Sequence, residues 1–234
     1  MYKNRRILAI VPARGGSKGI KLKNLISVGG VSLISRVGLV IQQLPFLDRA
    51  IISTDHSGIA ETARSAGIEA PFTRPESLSG DTISDVEVLS HALLEAEKSE
   101  KYQFDVIVML QPTSPFRTPE IVIEACDKLI EGNYDSVVTV SRTDSKGHPL
   151  KQFVVKENTL RYYDERGKGI IARQQLDPVY HRNGLAYVMT RDCLLVQKTV
   201  IGSHTFPIVA EEYVPNIDSY DDIYYAEYLL SRQT

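Results

Sequence analysis

A chain of 234 residues is long enough to bury one full α/β core, with or without an insertion. Its 27 Lys and Arg nearly balance 29 Asp and Glu, which excludes a globally basic nucleic-acid binder. Apolar residues make up 43% of the chain, yet no apolar run approaches the roughly 18 residues of a membrane-spanning helix. The polar, basic start Met1 to Arg6 leads into a short apolar stretch broken by Pro12 and Arg14, so it does not read as a signal peptide. Residues 7–11 form the first predicted strand, followed by a loop rich in glycine and cations. Further short apolar runs predict strands at 50–53, 106–110 and 137–140, each continuous as expected when both faces are buried. Between them, Val86, Leu89, Leu93 and Ala96 fall at helical spacing within 84–98. Thr118-Pro119-Glu120 opens another helix, with Thr as N-cap and Pro in the first turn.

The rhythm breaks after Val140. Residues 141–182 are polar and turn-rich, with β-like pieces at 152–155 and 159–163 around Asn158. They read as a small inserted β arm, a contact for a partner subunit, with a surface hairpin as the alternative. The sheet resumes at 184–189, and an edge strand is expected near 206–209. A last helix starts at Ser219, with Asp222 three residues on and Ile223, Ala226 and Leu230 on its apolar side. Alternating strands and helices predict a mainly parallel sheet covered on both faces. Two distant cysteines, Cys126 and Cys193, point to a reducing cytoplasm. Five scattered histidines show no zinc spacing.

The loop after the first strand is the most informative segment: Pro12-Ala13-Arg14-Gly15-Gly16-Ser17-Lys18-Gly19-Ile20-Lys21-Leu22-Lys23-Asn24. It offers bare backbone N–H groups and cations at the carboxyl end of a strand, where open α/β sheets bind ligands. The first acidic residue is Asp48, and eight Lys or Arg precede it, so the N-terminal part is locally basic in a chain of net charge −2. Four cations from Arg14 to Lys23 with no acid among them repel one another, which predicts a site for a small polyanion. The loop matches neither the P-loop pattern, since Gly19 follows Lys18, nor GxGxxG.

This run closely resembles the nucleotide-binding signature of the acylneuraminate cytidylyltransferases, the CMP-sialic acid synthetases. Four more segments resemble that family in order: Ile52-Ser53-Thr54-Asp55; Arg74-Pro75-Glu76 with Asp81-Thr82; Leu110-Gln111-Pro112-Thr113-Ser114-Pro115-Phe116-Arg117; and Arg173-Gln174-Gln175-Leu176 with Arg182-Asn183-Gly184. The resemblance covers Ile7 to Leu230. It implies a single domain over 1–234 with a Rossmann-like nucleotide-diphospho-sugar transferase fold, its arm at 141–182 serving a homodimer. It implies a cytoplasmic enzyme that joins CMP from CTP to a nine-carbon 2-keto sugar acid, N-acetylneuraminate or a relative such as legionaminate or pseudaminate, and that needs Mg²⁺ or Mn²⁺. No nucleic acid or membrane partner is expected.

The same resemblance distributes the roles. Arg14, Lys18 and Lys23 face the triphosphate and leaving pyrophosphate, while Ala13, Gly15, Asn24, Arg74, Asp81 and Thr82 complete the nucleotide site. Asp81 and Thr82 also read as openers of the helix that follows, and Arg74 as an exposed side chain held by Pro75. Gln111, Arg173, Gln174, Gln175, Tyr180, Arg182 and Asn183 face the sugar acid, with Arg suited to its carboxylate. Asn183-Gly184 also reads as a turn before the next strand. Arg117 has two readings, packing at a helix start or an ion pair. Relatives carry Asp-Ile-Asp before the last helix as metal ligands, whereas this chain has Asn216-Ile217-Asp218. Asn216 and Asp218 share a face of an extended segment, so metal binding is expected to persist with one charge fewer. Asp221 and Asp222 read as helix-start acids. A cytidylyltransferase for an eight-carbon keto-deoxy-octulosonate and a non-catalytic nucleotide-sugar binding protein remain open.

Overall fold

The computed structural model describes residues 1–232. Strand β1 (Ile7–Pro12) is buried from Ile7 to Val11. Strands β2 (Ser27–Val28) and β3 (Val31–Ser32) form a small hairpin whose turn residues, Gly29 and Gly30, both have positive φ. Next come α1 (Leu33–Ile41), β4 (Arg49–Ser53), α2 (Ser57–Ser65), α3 (Asp85–Lys98), β5 (Val106–Met109), α4 (Pro119–Gly132) and β6 (Ser136–Arg142). Strands β7 (Phe153–Lys156) and β8 (Thr159–Tyr162) pair only with each other, outside the main sheet. Strand β9 (Tyr180–Thr190) returns to it, followed by α5 (Arg191–Leu195), β10 (Thr205–Ala210) and α6 (Tyr220–Ser231).

The main sheet has the order β10-β6-β9-β5-β1-β4. It is mainly parallel, as expected, and β10 is an edge strand. The exception is β9, antiparallel to both β5 and β6. Its connection explains this. The arm leaves and re-enters at the same end of β6, so Arg142 faces Tyr180, and no helical crossover carries the chain back to the far end.

Alternation along the strands divides the core. Ile7, Ala9 and Val11 face α1, α2 and α4, while Leu8 and Ile10 face α3 and α5. A third apolar cluster joins Ile20, Val28 and Leu33 to Ile217, Ile223 and Ala226. It ties the loop after β1 to the segment before α6. Among the described residues, no helix is long and apolar enough to cross a membrane.

Helix starts follow local chemistry. Ser84 and Glu87, and Ser219 and Asp222, form reciprocal capping boxes at α3 and α6. The α3 cap is therefore Ser84, which corrects the assignment of helix opening to Asp81 and Thr82. Thr118 is the N-cap of α4 by backbone position, but its side chain makes no capping bond. Asn183-Gly184 is not a turn before a strand, because both lie inside β9. There the pairing with β6 jumps from Val138 opposite Tyr187 to Val140 opposite Arg182, a bulge that Gly184 enters at φ +76°.

Candidate active site

A cleft of about 430 Å³ opens beyond the carboxyl ends of β1 and β5. Four segments distant in sequence line it: the loop after β1 with Arg14, Ser17, Lys18, Gly19, Lys23 and Asn24; the approach to α3 with Arg74, Gly80, Asp81 and Asp85; the loop after β5 with Gln111, Pro112 and Thr113; and Asn216 and Asp218 ahead of α6.

The loop after β1 is pinned at several points. Ala13 is buried and its N–H donates to the Ser53 carbonyl at 3.0 Å. The Gly15 N–H donates to Asp55 Oδ1 at 2.8 Å, and the buried Asn24 donates through Nδ2 to the Arg14 carbonyl at 3.0 Å. Gly19 packs so closely on the Asp218 carbonyl that a Cβ would lie 2.7 Å from its oxygen. The phosphate-type loop and the acidic segment therefore form one wall.

Electrostatically the cleft is balanced. Arg14 and Lys18 both pair with Asp81, at 2.8 and 2.7 Å, and Lys23 pairs with Asp218 at 2.8 Å. The expectation of mutually repelling cations is corrected here, since acids absent from the local sequence are supplied by tertiary contact. Lys18, then Arg14, holds the Asp81 carboxyl below the usual carboxylate range. Thr82 is exposed beside it. Arg74 is buried, not exposed: Nε donates to Ser53 Oγ at 3.0 Å and Nη2 to the Ser53 carbonyl. Burial pushes its pKa down to about 10, which leaves it charged at neutral pH.

The residues expected to face a sugar acid separate in space. Gln111 borders the cleft. Arg173 and Gln174 line a second cavity of about 630 Å³ at the base of the arm, with Arg142, His148 and Asp177. Gln175 is exposed and folds back on its own turn, its Oε1 accepting from the N–H groups of Ile171 and Ala172 at 2.8 and 2.9 Å. Tyr180 and Arg182 are exposed on β9. Asn183 is buried; Nδ2 donates to Ser141 Oγ at 3.1 Å and Oδ1 accepts from the Leu185 N–H at 3.2 Å. Its amide is thus committed to the bulge. Sequence reasoning assigned no role to Asp55 or Ser53, the anchors of Gly15 and Arg74. Their signal was position, since each stands at the carboxyl end of β4.

Asn216 and Asp218 stand together, with Asn216 Nδ2 donating to Asp218 Oδ2 at 2.9 Å. Asn216 Oδ1 is buried without a hydrogen-bond partner. One carboxylate and one unpartnered amide oxygen are hard oxygen donors, a set that suits Mg²⁺ when substrate phosphates and water complete its shell. Among the described residues no group of three or more His, Cys, Asp or Glu gathers as a metal cluster. Asp222 is not in the cleft. It accepts from the N–H groups of Asp218 and Ser219 at 2.9 and 2.7 Å, so it anchors the helix start and the acidic segment together.

Comparison with known proteins gives the family and the fold. The model of a family described as "Cytidylyltransferase" matches residues 8–230. The chain is 29% identical over 213 residues to the CMP-N,N'-diacetyllegionaminic acid synthase of Legionella pneumophila, covering 91% of this chain and 90% of that protein. It is 29% identical over 212 residues to the N-acylneuraminate cytidylyltransferase of Escherichia coli O18:K1:H7, covering 88% of this chain but 48% of that longer protein. Among solved structures, a CMP:2-keto-3-deoxy-manno-octonic acid synthetase complexed with CTP superposes with a TM-score of 0.70 at 17% identity. That match covers 98% of this chain and all of that one, and it establishes the shared nucleotidyltransferase fold.

Proposed function

The chain belongs to the cytidylyltransferase family, and from that premise we propose that it couples CMP, taken from CTP, to a nine-carbon 2-keto sugar acid. The observation that carries this reading is one cleft that brings Arg14, Lys18, Lys23 and Arg74 together with Gln111, Asn216 and Asp218. An anomeric hydroxyl attacking the α-phosphorus forms the new O–P bond as the bond to the β-phosphate oxygen breaks. Pyrophosphate leaves, and the proton of the hydroxyl passes to solvent. Such transfer depends on positioning and charge neutralisation. Arg14, Lys18 and Lys23 exchange their carboxylate partners for phosphate oxygens as the triphosphate enters. Arg74 supplies a fixed, buried charge at the nucleotide end. Gln111 can donate and accept toward a sugar hydroxyl or N-acyl group.

Asn216 and Asp218 would hold Mg²⁺, which supplies charge neutralisation at the phosphates when bound. Arg173 and Gln174 lie in another cavity, so their role toward a sugar carboxylate requires the arm to meet a second copy of the chain. A homodimer through the arm is part of the proposal. Buried, unpaired Cys126 and Cys193 suit a reducing cytoplasm.

The two relatives named above carry the names of different sugar acids, diacetyllegionaminic acid and N-acylneuraminate, and the solved structure that of an octonic acid. A panel therefore tests the reading: pyrophosphate release with CTP and Mg²⁺ from N-acetylneuraminate, legionaminate, pseudaminate and keto-deoxy-octulosonate, with UTP and ATP as controls. Release with CTP and a nine-carbon acid is the expected result. Release with the eight-carbon acid alone, or CTP binding without release, overturns it.

A further inference from the structure

The structure assigns to Arg117 a role as the positioning residue of the acceptor end of the cleft, acting through Gln111. This rests on the reading of Gln111 as a contact to the acceptor sugar.

Arg117 is 6% exposed, and among the described residues no carboxylate pairs with it. Its guanidinium instead gathers three backbone carbonyls. Nη2 donates to Gln111 at 2.6 Å and to Gly184 at 2.9 Å, and Nε donates to Leu185. The first of these lies on the loop after β5, and the other two lie in the bulge of β9. Both sequence-based readings of Arg117, helix-start packing and an ion pair, give way to a clamp between two chain segments. Burial draws its pKa down to about 9, so it is still a cation at neutral pH.

The junction is closed from other directions. Ser114 Oγ donates to the Asn183 carbonyl at 3.0 Å. A Cβ on Gly184 would stand 2.9 Å from Gln111 Oε1 and 2.3 Å from Ser114 Oγ, so the Gln111 side chain rests directly on the bulge. The carbonyl of Gln111 is thus held by a charge-assisted bond while its amide lies against glycine. Among the described residues no hydrogen bond joins Arg117, Ser114 or Gly184 to Asn24, Asp55 or Gly19, although the loop after β5 meets the segment before α6, where the Ile217 N–H donates to the Thr113 carbonyl at 2.8 Å.

A double-mutant cycle separates this role from general structural support. The variants are Arg117→Lys, Gln111→Ala and the pair, each checked for cooperative unfolding and for CTP affinity by calorimetry. Lys keeps the charge and cannot reach three carbonyls, and leaving buried carbonyls unbonded predicts an acceptor KM raised by about tenfold. CTP affinity stays within about twofold, and Arg117→Lys adds little once Gln111 is Ala, because both act on one contact. Ser114→Ala gives a milder change of the same kind without a buried charge, and serves if Arg117→Lys fails to fold. Equal losses for CTP and acceptor, additive effects of Arg117→Lys and Gln111→Ala, or an unchanged acceptor KM overturns the positioning role. If the parent chain turns over no acceptor, the activity reading itself fails before any variant is made, and this role fails with it.

Discussion

At the scale of single residues, the cleft is a set of cations already occupied by carboxylates. Asp81 sits on Arg14 and Lys18, so the proposed binding of phosphate to these cations would displace it. Asp81→Asn should tighten binding of inorganic pyrophosphate by roughly two- to fivefold at low salt, and less at high salt, as calorimetry would show. A fall in affinity would instead make Asp81 a direct ligand contact. Lys23 is mostly buried and pairs with Asp218. Lys23→Ala should lower kcat by about a hundredfold or more with little change in melting temperature, because preorganised charge acts chiefly on the transition state. The thiols behave differently. Burial raises Cys126 to about 12 and Cys193 to about 11, so both stay protonated and shielded. Iodoacetamide labelling should follow the unfolding rate, with no fast phase in the native protein.

At the scale of elements, the segment before α6 links helix stability to the site. Asp222 caps α6 and accepts from the Asp218 N–H. Burial works against its charge, but the bonds from Asp218 and Ser219 prevail and its pKa lies below the ordinary value. Asp222→Ala should cost about 1 kcal/mol, typical of a lost cap, and raise the Mg²⁺ concentration needed for half-maximal rate by loosening Asp218. The sign with pH follows from the lowered pKa. Asp222 stabilises fully above the ordinary carboxylate pKa of about 4 and loses that effect as pH falls through its lower folded value. The gap in melting temperature between parent and variant should therefore close in acid. The capped starts of α3 and α6 were legible because a side chain three residues away makes each cap. The β9 bulge was not, since its glycine is read only against Gln111 and Ser114, about 70 residues earlier in the chain.

At the scale of the whole molecule, the arm stands apart from the sheet. Its two strands pair only with each other, and the arm exposes Val155 and Leu160 on them and Tyr163 and Ile171 beyond them, the last 94% accessible. A lone two-stranded hairpin is marginal in water and leaves open edges. Burial of this face by a second copy is the proposed remedy. Replacing residues 153–162 by a short Gly-Ser linker should convert a dimer to a monomer in analytical ultracentrifugation. The melting transition of the main core should remain cooperative, because the sheet has its own clusters on both faces. By itself the sequence determined the strand and helix rhythm, the inserted arm and the cation-rich loop, because these depend on neighbours in the chain: continuous apolar runs, caps and glycine next to lysine. Only the tertiary structure decided that Asp81 and Asp218 neutralise that loop, that Arg74 and Arg117 are buried on carbonyls, that β9 runs antiparallel, and that Arg173 and Gln174 lie outside the cleft holding Gln111. Those outcomes depend on which distant segments the sheet order brings together, and no local pattern of side chains encodes a distance across a fold.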